Sequence, residues 1–317
     1  MTPRTRACVV VETHFVGDYS DAPARPPAIG VEEFERLLDK LLAEREPITA
    51  VQLRDWFDGT GDLPEKSLYL TFDDGIRDHA TNVVPLLLKR GLEGAFFVPG
   101  SIFDPNGRLP ALERQRYLQY GFGDYRAFLD ALIAEVPRRC PGVREADVAV
   151  SARTLAAMGD HLANYPFYSP EERYYRWLRD KVLSPEDLLR ATDSLFAARF
   201  PDERALMERY YLSPADLKDI AAAGMAIGCH GHVHEHLPRL RDQAADLVMG
   251  LDALESITGR RPWIASYPFG SYDDRTLGLM DSLGMGFAFT TGNRVADLNR
   301  QDRHTIPRLD IAEVKSW

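Results

Sequence analysis

Cysteine is scarce in this chain, three in 317 residues, at positions 8, 140 and 229. That excludes a disulfide framework and the paired-cysteine knuckles that hold structural zinc. An excess of basic charge is also lacking. Lys and Arg number 38 against 48 Asp and Glu, a formal net charge of −10. The basic stripe of a nucleic-acid binder is therefore not expected, and an anionic membrane surface has little to attract. No apolar run approaches the roughly 18–20 residues of a transmembrane span. The first six residues carry two arginines, but the apolar stretch behind them is broken at Glu12 and His14. No secretory signal is read there, and the expected compartment is the reducing cytoplasm. Repeats and low-complexity segments are missing too, and nothing specifies an oligomeric state. What remains is a globular composition, 45% hydrophobic and 27% charged, long enough for one large α/β domain or two small ones.

Strands alternate with helices through residue 103. Residues 7–15 contain Cys8-Val9-Val10-Val11, a buried-strand pattern, and 31–44 place Phe34, Leu37, Leu38, Leu41 and Leu42 at amphipathic-helix spacing. Further strands are expected at 67–74 and 93–103, around a helix over 78–90 that stops at Gly91. Such alternation predicts a mostly parallel sheet covered by helices. From 104 to 211 the composition turns to Arg, Glu, Tyr, Leu and Ala without a convincing strand. Ser169-Pro170, Ser184-Pro185 and Ser213-Pro214 each match a Ser cap followed by Pro at the first helical position. Alternation then resumes, with strands expected at 225–231, 263–269, 286–291 and 305–311. About seven strands predict a barrel-like α/β fold with its active site at the C-terminal strand ends.

Two strand ends carry chemistry. Thr71-Phe72-Asp73-Asp74-Gly75 sets two adjacent carboxylates where an apolar strand finishes. Side chains alternate along a strand, so neighbouring Asp residues reach one site only where the strand is ending, and Gly75 lets the backbone turn. The plainer reading is an Asp-rich turn that caps a helix. The second end, 227–236, holds four of the eight histidines, at 230, 232, 234 and 236. Clustered neutral imidazoles suit a transition metal such as zinc. A pair four residues apart supplies two ligands and Asp74 a carboxylate, leaving positions for water and substrate. The plainer reading is a solvated histidine-rich loop.

Together, TFDDG at 71–75 and IGCHGHVH at 227–234 resemble the polysaccharide deacetylase family, the NodB homology domain of carbohydrate esterase family 4. The resemblance covers 7–103 and 212–311 and leaves out the helical insertion. It implies a single catalytic domain over 1–317, a distorted (β/α) barrel with a large helical insertion at 104–211. It also implies metal-dependent hydrolysis of N-acetyl or related acyl groups, with Asp73 as general base. Asp74, His230 and His234 become the ligands of one divalent ion, zinc first, although cobalt, nickel and iron accept the same set. His232 and His236 share that spacing, so a shifted register stays open. Common members carry a catalytic histidine in a C-terminal Leu-x-x-His motif that this chain lacks, and His304 sits in a non-matching context. Thr13-His14, ending the first strand, is similar instead to a Tyr-His pair of circularly permuted relatives involved in exopolysaccharide deacetylation. It implies His14 as general acid. Ala265-Ser266-Tyr267-Pro268-Phe269-Gly270 resembles a third motif of those relatives and implies an oxyanion donor in the N–H of Tyr267. The arginine that pairs with the base in common members is missing there. Arg308 is either its replacement or a surface residue.

The implied activity is removal of an acetyl or formyl group from the nitrogen of an amino sugar or sugar conjugate. Without a signal, the expected substrate is an intracellular sugar, free or carried on a nucleotide or lipid. Tyr165, Phe167, Tyr168, Tyr174, Tyr175 and Trp177 either roof the pocket or pack within the insertion. A cyclic imide or ureide hydrolase would use the same ligands, and a non-catalytic glycan-binding relative would lack the base or a ligand. A non-haem iron oxygenase also uses two histidines and a carboxylate, normally on a jelly roll.

Overall fold

A computed structural model describes residues 6–105, 108–162 and 168–315. Nine strands form one sheet: β1 (Ala7–Thr13), β2 (Glu46–Pro47), β3 (Lys66–Phe72), β4 (Ala95–Val98), β5 (Ala226–Cys229), β6 (Ile264–Ser266), β7 (Phe287–Phe289), β8 (Ala296–Asp297) and β9 (Leu309–Asp310). The order is β7-β6-β5-β4-β3-β1-β8, with β2 also paired to β3 and β9 to β1. Every pairing is parallel except β1 with β8. The two-residue strands β2 and β8 are too short to show a sequence period and were not expected. Strands buried on both faces are what a parallel sheet covered by helices requires, and Cys8 to Val11 are all buried.

The sheet curls, and one late segment joins its two flanks. Ile306 pairs with Phe289 on one side, and Leu309 and Asp310 pair with Val11 and Glu12 on the other. This is a distorted (β/α) barrel. Tyr69, Phe97, Phe287 and Phe289 pack in its interior, with ring centroids 5.4–6.5 Å apart in contacting pairs. The guanidinium of Arg308, in the joining segment, lies 5.9 Å from the Phe97 ring and 5.8 Å from that of Phe289. The helix expected over 78–90 begins as a five-residue π turn, His79–Val83, and continues as the α-helix Val84–Lys89.

The chain divides into two compact units. One takes Met1–Asp18, Pro27–Arg108 and Arg204–Trp317 and holds the whole sheet; the other takes Tyr19–Pro26 and Leu109–Glu203. The division thus falls a few residues inside the 104–211 boundaries read from composition. The second unit has no strand among its described residues and packs its helices around aromatic side chains. Tyr175 meets Phe128 at 5.0 Å and Trp177 meets Tyr174 at 5.3 Å. The Tyr174 hydroxyl donates to the carbonyls of Val148 and Ala149. These rings are core of their own unit, Tyr168 lies beneath Arg176, and Tyr165 and Phe167 fall outside the described residues.

Gly228 in β5 lies flat against Phe97, where an added Cβ would come within 2.3 Å of the ring. Gly228→Ala therefore overpacks the barrel interior and should lower the unfolding free energy by about 1–3 kcal/mol. A denaturant midpoint displaced at constant m is the expected readout, and an unchanged midpoint would contradict this packing.

Candidate active site

Alternation along β3 turns Tyr69, Thr71 and Asp73 toward the barrel interior, while Phe72 packs outward on Phe34. The strand ends at Phe72, and Asp74 and Gly75 then take φ of +72° and +65°. Left-handed backbone is uncommon for a residue with a side chain, and here it brings the second carboxylate to the same mouth as the first. The same device recurs after β5. Gly231 at φ +69° and His234 at φ +50° fold the loop back on itself, so His230 and His234 both face Asp74. Asp74 Oδ1 lies 3.4 Å from His230 Nε2 and 3.1 Å from His234 Nε2. All three side chains are buried, and their ligand atoms lie within 4.8 Å of one another.

The hydrogen bonding at His230 shows what this cluster suits. Its Nδ1 is 2.8 Å from the Ser266 carbonyl oxygen, which only accepts, so Nδ1 carries the hydrogen. A neutral His230 then turns a lone pair at Nε2 toward Asp74 and, at 3.8 Å, toward Asp73. Lone pair and carboxylate repel unless a cation lies between them. Two imidazole nitrogens and one carboxylate oxygen suit zinc and its divalent neighbours, so the residues present fit such an ion. The loop has outer support as well: Asp246 accepts from the backbone N–H groups of His232 and Val233 at 2.9 and 3.0 Å. Partners of this kind orient the ligands of metal sites.

Asp73 sits beside the cluster in a different environment. Arg308 grips it with two hydrogen bonds of 2.8 and 2.7 Å, and the Ser266 hydroxyl donates to it at 3.2 Å. Burial alone would raise its pKa, but the charge and hydrogen bonds of Arg308, with His230 nearby, outweigh burial and lower it to about 2. Asp73 is thus a carboxylate throughout the neutral range. Arg308 also approaches Glu12 at 3.3 Å. Glu12 is buried, and burial raises its pKa despite Arg308. His14 Nε2 lies 3.7 Å from Glu12 and 4.0 Å from Asp74 Oδ2, the carboxylate oxygen that does not face His230 and His234. Single ligand atoms of Glu12, His14 and Asp73 lie within 4.8 Å of one another.

The model of the polysaccharide deacetylase family matches residues 60–126 and 187–288, together more than half of the sequence. The chain belongs to the polysaccharide deacetylase family. Its hydrolytic class is deacetylation of sugar polymers, and the family is generally metal-dependent. Solved structures similar to it include IcaB from Ammonifex degensii, 17% identical over 98% of this chain and 97% of that one, with a TM-score of 0.57. The Streptococcus pyogenes deacetylase PplD in complex with acetate is 13% identical over 96% and 92%, with a TM-score of 0.56. A de-N-acetylase from Aggregatibacter actinomycetemcomitans is 15% identical over 98% and 99%, with a TM-score of 0.55. At these identities the likeness is one of fold. No curated protein matches the chain.

Within this polysaccharide deacetylase the structure brings Asp73, Asp74, His230, His234, His14 and Arg308 to one mouth. His232 faces Asp104 at 3.3 Å instead, and His236 stacks on Phe269 at 4.4 Å. One sequence reading needs correction. The Tyr267 N–H, one residue past the end of β6, donates to the Phe289 carbonyl at 3.0 Å, and its hydroxyl donates to the His304 carbonyl at 2.7 Å. The Tyr267 N–H is therefore engaged by the backbone and not open as an oxyanion donor. Of the two readings of Arg308, the structure agrees with the replacement: it is 1% exposed and paired with Asp73, not a surface residue. Glu12 was not singled out, although a lone carboxylate two residues before His14 in an apolar strand is a signal for it. A cavity of about 710 Å³ is lined in part by Ile102, Phe103, Asp104, Met207 and Tyr211. Ile102 packs over Gly75 and Asp104 reaches His232, so the cavity borders both loops of the site.

If the ion takes His230 and His234, His234→Ala should weaken zinc or cobalt binding by more than the roughly 10–100-fold typical of outer-shell changes. His236→Ala should leave it within about threefold. Competition against a chromogenic chelator reads both, and the reverse ranking would establish the other register.

Proposed function

We propose that this chain hydrolyses the N-acetyl group of an amino-sugar unit in a polymer or sugar conjugate, with Asp73 as base and His14 as acid. The observation that carries the reading is the different treatment of two adjacent carboxylates. Asp74 faces two imidazoles, whereas Asp73 is held ionised by Arg308 and kept out of that ligand set. Asp74, His230 and His234 would hold a divalent ion, zinc being our first choice, which when bound polarises a carbonyl and makes water acidic near neutral pH.

The chain's own residues supply the remaining steps. Asp73 accepts the proton of the attacking water, and the doubly hydrogen-bonded Arg308 fixes the orientation of its carboxylate. An amine leaves poorly unless protonated. His14, on the other oxygen of Asp74, is placed to deliver that proton to the nitrogen. Glu12 lies beside the imidazole, 3.7 Å from its Nε2. Base and acid stand close enough to serve the incoming water and the departing amine of one tetrahedral carbon. The bordering cavity, with Phe103 and Tyr211 among polar neighbours, offers apolar faces and hydrogen-bonding groups of the kind a sugar ring uses.

Acetate or formate release from N-acetylated and N-formylated amino-sugar oligomers and conjugates, measured with zinc-, cobalt- and nickel-loaded protein, tests the reading. Release is expected from at least one acylated sugar. Asp73→Asn should lose about 10²–10⁴-fold in turnover while keeping its bound metal. Full turnover in that variant would remove the base, and no release from any acylated sugar would overturn the substrate class.

A further inference from the structure

The strand that carries His14 ends one residue before it, and Thr13–Phe72 is the last pair of the β1–β3 ladder. The backbone of residues 14–16 lies beyond that ladder and has one isolated bridge, Val16 to Ile29, with the Ile29 N–H donating to the Phe15 carbonyl at 3.0 Å. Three side chains from the first turn after TFDDG bond to it. The His79 Nε2 lies 2.7 Å from the His14 carbonyl oxygen, and because a carbonyl only accepts, that nitrogen donates. Asp78 Oδ2 accepts the Val16 N–H at 2.8 Å, and Asn82 Nδ2 donates to the Val16 carbonyl at 2.7 Å. Each of these bonds runs to backbone 62 to 66 residues away. His79 is wholly buried, with Phe72 and Phe96 against its ring at 5.5 and 5.7 Å. It opens a π turn, a rare element that recurs at functional sites. Apolar residues in this turn would leave the His14 carbonyl and the Val16 N–H and carbonyl without these partners, so the three bonds fix where that backbone runs.

We propose that Asp78, His79 and Asn82 form a clamp that sets the position of His14 for proton delivery, with His79 its main positioning residue. The proposal rests on the acid role assigned to His14, and its test separates the two. His79→Phe keeps the ring packing and loses the donor, while His79→Gln restores an N–H at similar reach. Turnover is compared on an N-acetyl amino sugar, whose amine needs protonation, and on an aryl acetate, whose phenolate leaves without it.

His79→Phe is expected to lower amide kcat by about 10–100-fold, the scale of a misplacement near 1 Å. KM, bound metal and aryl-ester turnover should stay within about threefold, and His79→Gln should recover most of the loss. Should His79→Phe not fold, the half-buried Asn82→Ala should show the same selective loss, about three- to tenfold. Amide and ester falling together would mean a general packing defect and would overturn the clamp. So would unchanged amide turnover in the clamp variants while His14→Ala loses it selectively. Undiminished amide turnover in His14→Ala would remove the acid role and the clamp with it.

Discussion

Three buried Lewis bases converge at the mouth of this barrel, an arrangement that a shared divalent ion would stabilise. Asp74 faces two imidazole nitrogens at 3.1 and 3.4 Å, and the Ser266 carbonyl commits the hydrogen of His230 to the far side of its ring. Backbone conformation makes the same point. Asp74 and His234 both occupy the left-handed region, a conformation that persists in non-glycine residues only where the surroundings impose it. A divalent ion shared by the three would offset repulsion and backbone strain together.

The neighbouring charges form a second, separate balance. Asp73 and Glu12 are buried carboxylates, and Arg308 sits between them, fully buried itself. A buried charge is costly unless paired, and in the proposed mechanism this pairing also separates the two carboxylates, because one bound to Arg308 is a poor competitor for an ion. The late segment that joins the flanks of the sheet carries the arginine into place. Closure of the barrel and ionisation of the proposed base thus depend on the same few residues, Ile306 to Asp310. The division of labour between Asp73 and Asp74 follows from this.

Much of this was legible in the sequence, and the exceptions share a cause. Seven strands and the placement of TFDDG and the histidine run at strand ends follow from local periodicity, because alternation and turn-forming glycines are local properties. Spacing alone did not separate His230 with His234 from His232 with His236; the family resemblance pointed to the first pair, and the fold of the loop turns that pair to Asp74. Arg308 was undecidable because its partner Asp73 lies 235 residues away. The Tyr267 reading failed because a backbone N–H leaves no trace in side-chain identity, and the Phe289 carbonyl had already engaged it. Apolar spacing does not separate a π turn from an α-helix, so the register of 79–83 was hidden as well.

The ligand set is tested most directly by X-ray absorption at the zinc edge of protein reconstituted with one equivalent of zinc. The account predicts a first shell with two imidazole nitrogens and carboxylate or solvent oxygen, and no sulfur. A shell containing sulfur, which Cys229 next to His230 could supply, or one with fewer than two imidazoles, would contradict it.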